Sequence, residues 1–428
     1  MLCPSADVIV RAKGEHVKRM FLATVAVALV VVACTSAAVD SVGGPSSLPA
    51  SPSPTARPTS NATSEPTATP SGTSPAPTPL PPGPAVQSAG LLDATDGWAL
   101  TSTGLFLTAD GGAIWRQASV PGPQTLIGVL GVAFADAQHG WLATLDSNDA
   151  RSSVFDVWRT DDGARTWHKI VVPEGANRSD MFGPVEFSIL SANHLFLLVE
   201  GGMPDGWTSD LYESTDGGRT WSADRITGDR GETGAFAFAD SKHGVMAGGA
   251  PGNRLFATHD GGRSWQLIAI PVPAGFSAEY SQFCVAPTFW DAKSGALVVT
   301  YGTESGGVYE LGLLVTGDAG ASWSLAATVP LTPAQGNVGA VAFMGPADWA
   351  MAGPDTMART ADAGRTWTST ASTGLPGAPG APLMSDAEHG WVLVPMSVCL
   401  GFKTDCSSRT GLYATVDGGA TWTALWPK

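Results

Sequence analysis

The 428-residue sequence predicts an all-β fold, a seven-bladed β-propeller, and three observations carry that prediction. A phrase of the form Ser/Thr-x-Asp-x-x-x-x-Trp, here termed the box, recurs seven times. An apolar–turn–apolar phrase precedes each copy, and 52 Gly and 32 Pro supply turns at short intervals.

The boxes begin at Thr108 ("TADGGAIW"), Thr160 ("TDDGARTW"), Ser214 ("STDGGRTW"), Thr258 ("THDGGRSW"), Thr316 ("TGDAGASW"), Thr360 ("TADAGRTW") and Thr415 ("TVDGGATW"). Their aspartates are Asp110, Asp162, Asp216, Asp260, Asp318, Asp362 and Asp417; their tryptophans are Trp115, Trp167, Trp221, Trp265, Trp323, Trp367 and Trp422. The six intervals average about 51 residues, the length of one four-stranded blade. The preceding phrase is clearest as "LDATDGWALT" at Leu92, "FADAQHGWLAT" at Phe134, "FADSKHGVMAGG" at Phe238 and "LMSDAEHGWVLV" at Leu383, with degenerate forms at Leu190, Phe289 and Phe343. Each unit therefore reads as strand, polar turn, strand, connection, third strand, box and short fourth strand. In the box, Asp can accept backbone N–H groups, Gly permits positive φ, the hydroxyl ties back to the loop, and Trp returns an apolar side chain to the sheet. These positions are assigned to structure rather than catalysis. Ala164 replaces the second box glycine, and Ala319 and Ala363 replace the first, so those three corners are expected to be altered.

Lys18 and Arg19 precede the apolar run Phe21 to Ala33, which suits a signal-peptide core and is short for a membrane-spanning helix. The run ends in "VVAC" and resembles the lipobox of bacterial lipoproteins, in which cleavage exposes the cysteine for lipidation, here Cys34. An ordinary secretory signal with a chance cysteine is the alternative. Residues 1–16 are unlike a signal n-region, and a start near Val17 would leave the compact "VKRM". From Thr35 to about Val86 the chain turns to Ser, Pro, Thr, Ala and Gly, a composition that cannot offset ordering entropy and permits O-glycosylation. About 50 such residues at roughly 3.1 Å each give a spacer of up to roughly 150 Å. The resulting division is 1–33 lipoprotein-type signal peptide, 34–86 lipidated Cys34 and disordered Pro/Ser/Thr-rich linker, and 87–428 propeller. It implies an exported protein, lipid-anchored on the outer side of the bacterial cytoplasmic membrane.

The formal charge is −15, from 38 acids against 23 bases, which leaves no basic stripe for phosphates and argues against nucleic acid. Among five cysteines, Cys399 and Cys406 flank "LGFKTD" and read as a local disulfide outside the cytoplasm, while Cys284 in "FCVAP" reads as a buried thiol. His139, His243 and His389 occupy equivalent turns, so periodicity explains them better than metal binding. No CxxC pair, HExxH or phosphate-binding glycine loop occurs, and neither metal nor cofactor is expected.

The seven boxes resemble those of the Asp-box, or BNR-repeat, family of β-propellers. The pairing of "HGW" with "TxDGGxTW" is most similar to photosystem II stability/assembly-factor-like proteins, over roughly residues 88 to 428. That family includes sialidases, xyloglucan-active enzymes, sortilin-type receptors and assembly factors, so the resemblance implies a fold and several activities. Sialidases of the family carry an Arg-Ile-Pro stretch, an arginine triad and a Tyr nucleophile. Here "RIP" is missing, and Arg165, Arg219, Arg263 and Arg365 lie inside boxes. Xyloglucan-active relatives clamp a chain between two propellers, and this sequence predicts one.

Function is expected on the face opposite the boxes. There blades 1, 4 and 6 have minimal connections between second and third strands, and blades 2, 3, 5 and 7 carry insertions. These present Asp149, Arg151, Asp205, Trp207, Tyr301, Glu304 and Tyr309, carboxylates and aromatics suited to sugar stacking or to a protein hot spot, against a bland reading as solvated loop residues. The expected function is non-catalytic: a monomeric extracytoplasmic propeller binding a protein partner or a cell-surface glycan. A polysaccharide-binding module or an Asp-box glycosidase is the alternative.

Overall fold

The computed structural model describes residues 84–121, 129–145, 155–173, 185–203, 206–226, 233–248, 254–282, 286–303, 310–330, 341–399 and 406–426. Among them every regular element is a β-strand, arranged as seven antiparallel sheets that form a seven-bladed β-propeller. Each sheet takes its strands in sequence order. Blade 1 comprises Val86–Leu91, Asp96–Thr101, Gly104–Ala109 and Arg116–Gln117; blade 2, Val129–Phe134, Gly140–Leu145, Phe155–Thr160 and His168–Ile170. Blade 3 comprises Val185–Ile189, Leu195–Met203, Gly206–Ser214 and Ser222–Ile226; blade 4, Thr233–Phe238, Gly244–Gly248, Arg254–Thr258 and Gln266–Ile268. In blade 5 the first strand is split into Ser277–Gln282 and Thr288–Phe289, both paired with Gly295–Gly302, and Glu310–Thr316 and Ser324–Pro330 follow. Blade 6 comprises Val341–Phe343, Trp349–Ala352, Thr356–Thr360 and Thr368–Ala371; blade 7, Leu383–Met384, Gly390–Cys399, Cys406–Thr415 and Thr423–Trp426. The first strand begins at Val86, one residue before the boundary drawn from composition.

Side-chain alternation closes these sheets into a ring. Successive residues of a strand point to opposite faces, and the second strands are apolar on both. In blade 3, Leu195, Leu197 and Val199 enter a core shared with Trp141, Ala143 and Val157 of blade 2. The intervening Phe196 and Leu198 enter a core shared with Phe236, Phe238 and Met246 of blade 4. The same division gives one apolar cluster at each of the seven blade interfaces, including that between blades 7 and 1. First strands of neighbouring blades, such as those of blades 2 and 3 or 7 and 1, lie against each other and so surround the axis. At the interface of blades 7 and 1, Trp115 packs against Trp391 and Trp426, Phe106 against Trp426, and the Trp426 indole N–H donates to the Pro84 carbonyl at 3.0 Å.

Every box tryptophan sits in the interface with the preceding blade: Trp221 with blade 2, Trp265 with blade 3, Trp323 with blade 4, Trp422 with blade 6. Trp265 is 8% exposed, meets Phe238 edge-on, and donates its indole N–H to the Gly262 carbonyl at 2.9 Å. Trp265→Ala is therefore expected to lower unfolding free energy by about 3–5 kcal/mol, through lost burial and a cavity between two blades. Denaturant unfolding followed by Trp fluorescence and circular dichroism checks this; an unchanged midpoint would remove the residue from its structural role.

Candidate functional site

The two ends of the propeller differ in chemistry. At one end lie the boxes, which join third to fourth strands, and the turns joining first to second strands. In each box the leading Ser or Thr hydroxyl donates to the Asp Oδ1 at 2.8–2.9 Å and accepts the N–H four residues on at 2.7–3.0 Å. The residue before Trp donates its N–H to the same Oδ1, and in six boxes its hydroxyl donates to Oδ2 at 2.6 Å. Blade 1 has Ile114 at that position, 73% exposed, so its box lacks the hydroxyl. Arg165, Arg219, Arg263 and Arg365 fold back onto the carbonyls of their own box aspartates. The three alanine-bearing corners are altered only slightly: φ at Ala164 is 60° where the equivalent glycines stand at 81–97°, and φ at Ala319 and Ala363 falls just below the 67–78° of theirs. Ala164, Ala319 and Ala363 take φ of 60°, 61° and 59° and keep the hydrogen bonds of their turns, because the surrounding network outweighs the steric cost of a left-handed alanine.

The neighbouring turn is a second device of the same kind. Asp136 Oδ1 accepts the N–H groups of Gln138 and His139, and both its oxygens lie at 2.9 Å from His139 Nδ1; Asp240 with His243 and Asp386 with His389 repeat this arrangement. The two turns of a blade are tied by one backbone bond, from the fourth box residue to a carbonyl of the first turn. It runs from Gly111 to Thr95 at 2.8 Å in blade 1 and recurs in all seven blades. Blades are also clasped to each other: Arg359 donates to the Gly418 carbonyl of the next box at 3.3 and 3.2 Å, and Arg116 donates to that of Gly163.

At the opposite end, second and third strands meet in hairpins of unequal length. Those of blades 1, 4 and 6 use strands of four to six residues, whereas blade 3 uses nine on each side and blade 7 ten. At roughly 3.4 Å per residue, the longer pairs reach on the order of 10 Å past the shorter ones. The sequence read these segments as loop insertions; in blades 3, 5 and 7 they prolong the ladder. Trp207 is accordingly a strand residue opposite Gly202, with its side chain outside the described residues. Tyr301 is corrected outright. It is 0% exposed in the core between blades 4 and 5, packs on Phe276, and donates its hydroxyl to the Pro271 carbonyl at 2.6 Å. Burial pushes that phenol up to about 12. Alternation decides its fate, since Leu297, Val299 and Tyr301 share one face of a strand. Asp149, Arg151, Asp205, Glu304, Tyr309, Cys34 and Cys284 lie outside the described residues. Cys399 and Cys406 are Cα partners at the end of the blade 7 hairpin, their side chains likewise outside.

Three features were not singled out in the sequence. Near the axis, the Ser188 hydroxyl accepts the Phe238 N–H at 2.9 Å and the Glu186 carboxyl accepts that of Phe236, so blade 3 satisfies the open edge of blade 4. Burial pushes Glu186 up, partly offset by that N–H. The signal was present in "VEFSI", where two polar residues alternate with apolar ones. At the hairpin end, Glu279 and Tyr280 lie on the split first strand of blade 5, Tyr280 40% exposed; they were missed because they fall in a blade-to-blade connection. At the box end, a groove of about 350 Å³ opens between blades 1 and 2, lined by Leu92, Asp96, Leu107, Ile114, Arg116 and Arg165 among others.

The chain matches no protein-family model and no curated protein. Among solved structures it is similar to YCF48 from Cyanidioschyzon merolae, with 18% identity over 73% of this chain and 94% of that one and a TM-score of 0.49. It is also similar to the GH74 xyloglucanase from Xanthomonas campestris, with 15% identity over 77% of this chain and 62% of that one and a TM-score of 0.34. A PL25 ulvan lyase shares 10% identity over 80% of this chain and 95% of that one, with a TM-score of 0.46. The last two names denote different reactions, and at this distance such similarities select neither.

The box carboxylates are built to stay ionised. Asp216 and Asp362 are each held at about 2, first by the hydroxyl of Thr220 or Thr366 and then by the N–H of the same residue. Because folding lowers these values from 3.8, their stabilisation is complete above that value and is lost as pH falls from about 4 towards about 2. The melting temperature should thus be flat from about pH 7 to 5 and fall steeply below about pH 4. In the double variant Asp216→Asn, Asp362→Asn it should start lower at neutral pH and fall less in acid. Parallel acid limbs for the two proteins would show that other groups govern acid unfolding.

Proposed function

We propose that this chain is a non-catalytic, extracytoplasmic binding propeller of the Asp-box family, resembling photosystem II stability/assembly-factor-like proteins. In this reading it is carried on a lipidated Cys34, and the face bearing the long hairpins engages a protein partner. The observation that supports this most is the division of labour between the two ends. At the box end the repeated carboxylates, hydroxyls and arginines serve their own turns, and a carboxylate held near 2 is a poor general acid. At the other end, hairpins of blades 3, 5 and 7 stand beyond their neighbours on a rigid ring, the usual place for recognition elements. A polysaccharide ligand is the second reading, and exposed Tyr280, next to Glu279 on the split first strand of blade 5, supports it, since an exposed ring suits sugar stacking.

The test is capture from the native cell surface by the full chain, set beside variants with the hairpins of blades 3, 5 and 7 shortened to the length of blade 1. Saturable capture of one protein, weakened at least about tenfold by shortening at an unchanged melting temperature, is the expected result. Capture indifferent to hairpin length would remove the reading. Selective glycan binding lost in Tyr280→Ala would move the site to the first strand of blade 5.

A further inference from the structure

The blade 7 hairpin runs in unbroken register from Gly390 opposite Thr415 to its last pair, Cys399 opposite Cys406. Spacing in the sequence reads Cys399 and Cys406 as a local pair and Cys284 as a buried thiol; the register adds a geometric reason for that pairing. In blade 6, Gly353 N donates to Thr356 O at 2.8 Å around a two-residue turn, which makes them a hydrogen-bonded pair. Such pairs alternate with non-hydrogen-bonded ones along an antiparallel ladder. Four steps along the register from Gly353 and Thr356, the box residue Thr360, opposite Trp349, is again hydrogen-bonded. Blade 1 agrees, with Thr101 and Gly104 flanking a two-residue turn and Thr108 four steps away opposite Gly97. Thr415 holds the same box position, and nine steps lead from it to Cys406. Cys399 and Cys406 are therefore a non-hydrogen-bonded pair. Pairs of that kind hold their Cα atoms about 4.5 Å apart, within the roughly 4.4–6.8 Å that a disulfide spans.

We propose that Cys399 and Cys406 are joined by a disulfide that staples the tip of the longest hairpin and closes residues 400–405 into a covalent loop. The bond forms by thiol–disulfide exchange with an oxidised dithiol carrier. One thiolate attacks the carrier's disulfide, the second displaces the carrier from the mixed disulfide, and two electrons and two protons leave with the carrier as a dithiol. The staple fixes the register at the end of the ladder. Formation in the cell needs an oxidising compartment, so it rests on the exported location proposed above.

Lys403 lies between the two cysteines, so trypsin decides the matter. The full chain, alkylated on isolation and digested without reductant, should give Thr366–Lys403 and Thr404–Arg409 as one species, two hydrogens lighter than their sum, which reductant separates. A second sample, isolated reduced and folded, is exposed to oxidised glutathione before alkylation. Joining there but not in the isolated protein upholds the staple and removes the exported location instead. Both thiols alkylated in both samples, or either cysteine joined to Cys284, overturns the proposal.

Discussion

No blade of this protein owns a core. The apolar residues on one face of a blade pack against the blade before, and those on the other face against the blade after, so each sheet contributes two half-cores and completes neither. Folding stability is therefore a property of interfaces, and an isolated blade would expose two apolar faces. This constraint explains the near-continuous apolar second strands, which would otherwise look like buried parallel strands. It also explains why the box needs a tryptophan: the chain leaves the third strand, turns, and must seal the seam with the preceding blade before the short fourth strand begins. Where the ring closes, blades 7 and 1 do this with three tryptophans and a phenylalanine, one indole also bonding a main-chain carbonyl.

Most of the fold was legible because the sequence repeats its instructions. Seven boxes fixed the number of blades, and the paired phrase before each fixed the strand order. Tyr301 was not legible, although it lies at the end of the same pattern. It extends the run Leu297, Val299 by one more alternate position, and a single sequence gives no sign of where a ladder stops and a loop begins. The same ambiguity hid the prolonged hairpins of blades 3, 5 and 7, whose polar and glycine-rich sequences read as insertions. Glu186 and Ser188 were hidden for another reason. The alternation in "VEFSI" marks the two positions but not their purpose, because their partners are backbone N–H groups of the next blade, which carry no side chain to read.

The box also shows how a repeated motif tolerates drift. Substituting alanine for glycine at three corners leaves φ in the left-handed region, because hydrogen bonds from the hydroxyl and from the neighbouring turn impose it. Replacing the last hydroxyl by Ile114 in blade 1 leaves the main-chain bond to Asp110 Oδ1 at 2.8 Å in place. The redundancy is geometric: Oδ1 alone receives a hydroxyl and an N–H, so one contact can be lost without releasing the turn. Trp422 shows the same latitude, its indole N–H reaching Ser372 Oγ at 3.0 Å where Trp221, Trp265, Trp323 and Trp367 use a glycine carbonyl of their own box.

The bond between Trp426 and the Pro84 carbonyl has a mechanical meaning. Residue 84 leads directly into the first strand of blade 1, which lies against the second and third strands of blade 7 near the axis. Tension applied to the chain ahead of Pro84 would be delivered to the one seam joining the two ends of the ring. Load would pass through an indole, a carbonyl and a cluster of rings at that seam before it reached any blade-to-blade contact elsewhere.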